Sequence, residues 1–138
     1  MDKRSYYDVA MNDYEHFKWL VQGIHLEHTH NAIGVQAQQI VEKLLKHVLD
    51  RWCVEEENTD LLRSHKIQTL VREIKKQTGF EVMKIEEALF LSDFYYGARY
   101  PGEDYIEVTE EEAQRAADIV DEVVQSVDRL REILKKEK

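Results

Sequence analysis

Between Ala113 and Leu134, Ala113, Ala116, Val120, Val123, Val127, Leu130 and Leu134 recur at alternating steps of three and four. Residues so spaced share one face of an α-helix, and the 3-4 alternation makes that face a seam for another helix. Thr109 and Glu112 just upstream form a capping box, the signature of a helix start. At about 1.5 Å per residue the segment is a rod of roughly 35–40 Å. A rod of that length with one apolar seam demands a helical bundle, or pairing with a second copy.

The rest of the chain follows the same period. Tyr6, Val9/Ala10, Phe17, Leu20/Val21 and Ile24 describe a first helix, with Ser5 as N-cap and Gly23 as stop. A second carries Ile33, Ala37, Ile40/Val41, Leu44/Leu45, Val48 and Trp52. Its stripe is the widest in the chain, so it should be the most buried helix. Glu55–Asp60 reads as an acidic, solvated linker. A third helix is expected over Ser64–Gln77, with Lys75 and Lys76 at its negative end and Gly79 as left-handed cap. A fourth is expected over Ile85–Tyr100, stopped by Pro101-Gly102, because proline cannot continue the hydrogen-bond ladder.

These elements predict an all-α, four- to five-helix up-and-down bundle within one domain, residues 1–138. Composition agrees: 5 Gly and 1 Pro are too few for the turns of a sandwich or barrel. With 43% hydrophobic and 34% charged residues, a disordered chain is not expected. The single cysteine, Cys53, excludes an internal disulfide framework and fits a reducing compartment. No apolar run approaches the roughly 18 residues of a membrane span, and the first residues lack the apolar core of a secretory signal. The cytoplasm is therefore the expected location, with no membrane contact.

The 19 basic and 28 acidic residues leave a formal charge of −9, unlike a general nucleic-acid binder. The charge is uneven. Arg63, Lys66, Arg72, Lys75, Lys76 and Lys84 outnumber Glu73 and Glu81 in the middle, whereas acids dominate from Glu103 onward. A basic middle can meet phosphate, and the polarity can steer association.

Several constellations carry chemistry beside a plainer reading. His25, His28 and His30 offer three imidazole ligands, but at no recognised metal spacing, so exposed loop histidines are the simpler account and no metal is assigned. Gln36, Gln39, Lys43, Lys46 and Asp50 recur at helical steps beside the apolar stripe. That is a solvated face or, through Gln39 and Lys43, the wall of a ligand groove. His65 stands at the head of helix three, and a catalytic role would require a partner within hydrogen-bond reach. Tyr95, Tyr96, Arg99, Tyr100 and Pro101 place a guanidinium among aromatic rings, either as a structural tie or as a fork for phosphate or carboxylate. A Gly-rich phosphate loop and a nucleophile with an adjacent base are both missing, so no cofactor is expected.

Taken in order, the aromatic first helix, the stretch Val35–Lys46, His65 ahead of Leu70, Tyr95–Pro101 and the long final helix resemble the HEPN family (higher eukaryotes and prokaryotes nucleotide-binding domain). The resemblance covers essentially the whole chain. It implies a helical bundle, commonly a homodimer, encoded beside a small nucleotidyltransferase and acting in a toxin–antitoxin-like module. Many members are metal-independent ribonucleases with an Arg followed four to six residues later by His. None of the eight arginines here has a His at that distance. No catalytic pair is carried over. The matching positions Gln39, Lys43, His65, Arg99 and Tyr100 are the candidate binding residues for a nucleotide or RNA. The alternatives are a ribonuclease toxin with a non-standard site and a purely structural scaffold.

Overall fold

The computed structural model describes residues 5–53, 60–102 and 105–136. Among these there is no strand. Five helices of eight residues or more are α1 (Tyr6–Gln22), α2 (His30–Trp52), α3 (Ile67–Thr78), α4 (Ile85–Ser92) and α6 (Glu110–Lys136), and α5 (Phe94–Gly97) is a single turn. The expected all-α bundle is what the chain forms. The linker expected at 55–60 lies, apart from Asp60, outside the described residues.

The helix starts follow local chemistry. Ser5 accepts from the Asp8 amide while the Asp8 carboxylate accepts from the Ser5 amide, satisfying two orphan donors of α1. Thr109 and Glu112 make the same reciprocal pair for α6. Gly79 closes α3 at φ 77°, a conformation that only glycine adopts without strain.

Helix α2 begins at His30, after a 3₁₀ turn over Glu27–Thr29. Two boundaries depart from the sequence expectation. Helix α3 begins at Ile67, because Ser64 (ψ 142°) and Lys66 (ψ 103°) are extended, so His65 lies in a link and not on a helix. The fourth helix breaks at Asp93 and resumes only through Gly97, so Arg99 stands beyond a helix end. The break matches the packing: a Cβ at Gly97 would collide with Ile106, whose amide donates to the Gly97 carbonyl.

The core is one cluster centred on α2, whose buried face includes Ile33, Ala37, Ile40, Leu44, Leu45 and Val48. Against it pack α1, α3 and the seam of α6, with all seven seam residues buried. Tyr7 donates to Asp128 (3.0 Å) and Tyr14 to Asp121 (2.6 Å), two heptad-spaced rungs that set α1 antiparallel to α6. Asn31 fixes where α6 begins. Its amide nitrogen, with two hydrogens, has the Ile106 carbonyl (2.7 Å), the Tyr105 hydroxyl (3.0 Å) and the Ala98 carbonyl (3.2 Å) within reach, and its oxygen accepts from the Val108 amide (2.8 Å). The segment after α5 is thereby held against the start of α2. No helix among the described residues is long and apolar enough to cross a membrane.

Candidate functional site

The extended link before α3 is held from two sides. The Ile67 amide donates to the Ser92 hydroxyl (2.9 Å), which donates to Gln68 Oε1 (2.7 Å). This ties the start of α3 to the end of α4, three residues before Tyr95. His65 consequently lies flat on Tyr95, with ring centroids 4.0 Å apart and 13° between planes. On the other side, His65 Nδ1 is 2.8 Å from Glu42 Oε1. A carboxylate can only accept, so Nδ1 carries the proton of that bond.

Glu42 is buried, as are Gln38 and Lys46. The three are four residues apart on α2 and share one face. Gln38 Nε2 donates to Glu42 Oε1 (3.2 Å) and lies 3.5 Å from the His65 carbonyl, and Lys46 Nζ is 3.6 Å from Glu42 Oε2. Glu42 thus faces an amide, an imidazole and an ammonium, as a buried charge requires. Gln38 Oε1 is buried without a hydrogen-bond partner among the described residues.

Arg99 spreads over aromatic rings, its guanidinium carbon 5.0 Å from the Tyr95 centroid and 5.4 Å from that of Tyr100. Stacking of this kind leaves the donor fork of a guanidinium available in its plane. Arg99 and Tyr100 are exposed, as are Arg63 and Lys66 on either side of His65. The surface around His65 is therefore positive on a chain that is negative overall.

Of the five candidates, the structure gathers His65, Arg99 and Tyr100 around Tyr95. Gln39 and Lys43 face elsewhere. They line a groove of about 410 Å³ with Asn12, Asp13, His16 and Gln36, and Lys43 Nζ meets Asp13 Oδ2 at 2.6 Å. One step along a helix turns the side chain by about 100°. Residues 39 and 43 accordingly look toward α1, whereas 38, 42 and 46 look toward His65. Lys46, read as part of the solvated stripe, is buried. The partner that His65 needs is Glu42, which the sequence reading left unassigned. Its signal was a charged residue with helical mates at 38 and 46 inside the helix with the widest apolar stripe.

In the histidine-rich segment, His25 and His30 both approach Glu110, at 3.3 and 3.9 Å. His30 is buried, its Nε2 2.6 Å from the Ile24 carbonyl, while His25 Nδ1 lies 3.3 Å from Glu110 Oε2. No group of three His, Cys, Asp or Glu among the described residues is placed to hold a metal ion.

With this geometry in view, the chain was compared with known proteins. A family model described as the HEPN domain matches residues 25–130, which include His65, Tyr95, Arg99 and Tyr100. No curated protein and no solved structure matches the chain.

Proposed function

The chain belongs to the HEPN domain family, and on that premise we propose that it binds a nucleotide on the surface formed by His65, Tyr95, Arg99 and Tyr100. The observation that carries this reading is the Arg99 guanidinium over the Tyr95 and Tyr100 rings, with His65 stacked on Tyr95. A nucleotide offers an anionic phosphate and a flat base. Arg99 supplies a fork matched to phosphate oxygens, and half-exposed Tyr100 supplies a face for the base. Arg63 and Lys66 add positive potential at the same place.

Calorimetric titration with AMP, ATP and GTP tests this reading. Binding of at least one is expected, weakened about tenfold or more in Arg99→Ala, because a charge-assisted bond contributes roughly 1.5–3 kcal/mol. An absence of heat above dilution with all three nucleotides overturns it. As in the modules that the resemblance implies, a second copy of the chain and a small nucleotidyltransferase are the proposed partners. Light scattering and co-purification with the product of a neighbouring reading frame address these.

The Glu42–His65 contact favours a second reading, metal-independent RNA cleavage. A carboxylate that orients an imidazole is the arrangement of a general base, and Arg99 would offset charge developing on phosphorus. Intact RNA after incubation with the protein in the presence of a chelator would remove this reading and leave nucleotide binding untouched.

A further inference from the structure

Among the described residues, four buried side-chain nitrogen and oxygen atoms have no hydrogen-bond partner. Three of them, His47 Nε2, Trp52 Nε1 and Arg131 Nε, belong to one cluster where α1, α2 and α6 meet. Contacts link the cluster from residue to residue. The Arg131 guanidinium carbon is 3.5 Å from the Tyr7 ring centroid, and the Tyr7 and His47 rings are 5.2 Å apart. The His47 and Trp52 rings are 5.3 Å apart, and the Arg51 guanidinium carbon is 5.4 Å from the Trp52 centroid. None of these residues belongs to the surface proposed for the nucleotide.

The three atoms have one-sided chemistry. An indole N–H and a guanidinium Nε–H can only donate. His47 Nε2 donates in the imidazolium and in one neutral tautomer. Buried donors without an acceptor are costly and rare in native proteins. Three in adjoining side chains call for an acceptor with several lone pairs. A carboxylate has about four, enough for all three donors, whereas a water oxygen has two.

Charge points the same way. Arg131, Arg51 and Lys135 bear on the His47 ring against Asp8. Asp8 is engaged in capping α1, and Asp128 and Glu132 lie 3.9 Å from Arg131 and 3.7 Å from Lys135. Arg51 is left without a carboxylate partner among the described residues. The positive excess is small, which suits a monoanion better than a dianionic phosphate. Arg51 and Lys135 are exposed, so the charged rim of the cluster is in contact with solvent, while His47 is only 8% exposed.

We propose that the N–H groups of Trp52, Arg131 and His47 form a binding site for a small free carboxylate, which enters past Arg51 and Lys135. Bound there, it joins the end of α2 to the last turns of α6.

The two tryptophans make the test self-controlled, because the 78% exposed Trp19 supplies a second indole N–H signal in the proton–nitrogen spectrum. The full chain is titrated at pH 7 with sodium acetate and, separately, with N-acetylglutamate α-amide, phosphate and sodium chloride at matched ionic strength. Acetate should shift the Trp52 signal saturably, with a midpoint at about millimolar concentration, as a ligand of about four heavy atoms allows. Trp19 should not follow, and chloride should have no such effect. Arg131→Lys keeps the charge and removes the buried Nε donor, so acetate binding should weaken about tenfold. Should that variant fail to fold, His47→Phe, which also removes one donor, takes its place. A Trp52 signal that stays still, or that moves in step with Trp19 or with chloride, overturns the proposal, as does an unchanged acetate affinity in the variant. Tighter binding of phosphate than of acetate overturns the choice of a carboxylate. Binding of the blocked glutamate without binding of acetate overturns the free acid and assigns the cluster to an acidic side chain of a partner. Nucleotide binding at Arg99 stands or falls separately.

Discussion

From the second position of α2, Asn31 shares the two hydrogens of its amide among three acceptors in the segment 98–108 and accepts from one amide there. Asn31→Ala would leave two half-buried carbonyls and one amide without partners. A loss of about 2–3 kcal/mol is expected, since a net hydrogen bond contributes roughly 0.5–1.5 kcal/mol and an orphaned group adds to it. Urea unfolding measures this; a change below about 0.5 kcal/mol would mean that the segment is held by packing alone. His65, Arg99 and Tyr100 were legible in the sequence because their chemistry is rare enough to notice. Glu42 was not. A glutamate between Val41 and Lys43 looks like any exposed helical acid until the direction of the 64–66 link is known. That direction is set by a hydroxyl 25 residues away, Ser92, on the Ile67 amide. Which element Lys43 would face was not legible for the complementary reason: its ion pair with Asp13 belongs to α1, across a contact that periodicity does not specify.

At the scale of elements, helix identity was legible almost throughout, because each apolar stripe faces one core and capping chemistry is local. Ser5, Gly79 and the Thr109–Glu112 pair lie where the sequence put them. Two helix ends were not legible, at 64–67 and at 92–94, because both are decided by contacts between α3, α4 and the 105–108 segment. Gly79→Ala offers a clean test of local chemistry. A Cβ there meets nothing within 4 Å, so the only penalty is the left-handed backbone at φ 77°. A destabilisation of about 1 kcal/mol is expected, visible as a lower thermal midpoint with nucleotide affinity unchanged. The Tyr14 rung joins α1 to α6, and burial followed by its bond to Asp121 pushes the hydroxyl well above the ordinary tyrosine range. Tyr14→Phe should lower stability by about 1 kcal/mol; an unchanged unfolding midpoint would show that the seam of α6 needs no such rung.

For the whole molecule, the most consequential group outside the site is His47, where α1, α2 and α6 converge. Its ring is buried between Tyr7 (5.2 Å) and Trp52 (5.3 Å), and its Nε2 has no hydrogen-bond partner among the described residues. Arg131 lies over the other component of this cluster, the Tyr7 ring, at 3.5 Å. Burial, and next the positive charge of Arg131, with smaller contributions from Arg51 and Lys135 opposed by Asp8, push the imidazole down from 6.5 to about 4. Because the folded value lies below the unfolded one, the unfolded chain takes up the proton first as the pH falls. The stability held by neutral His47 is complete above pH 6.5, declines as the pH drops from 6.5 toward 4, and reaches its floor below 4. The slope approaches about 1.4 kcal/mol per pH unit within that window. Between pH 7 and pH 5 the wild type should therefore lose about 2 kcal/mol more than His47→Phe, which keeps an aromatic ring between Tyr7 and Trp52 but cannot take up a proton. Urea unfolding of both proteins at pH 7, 6 and 5 reads the difference directly. Parallel curves would show that His47 reaches water in the folded state and that the closure of α1 over α2 and α6 does not depend on its charge.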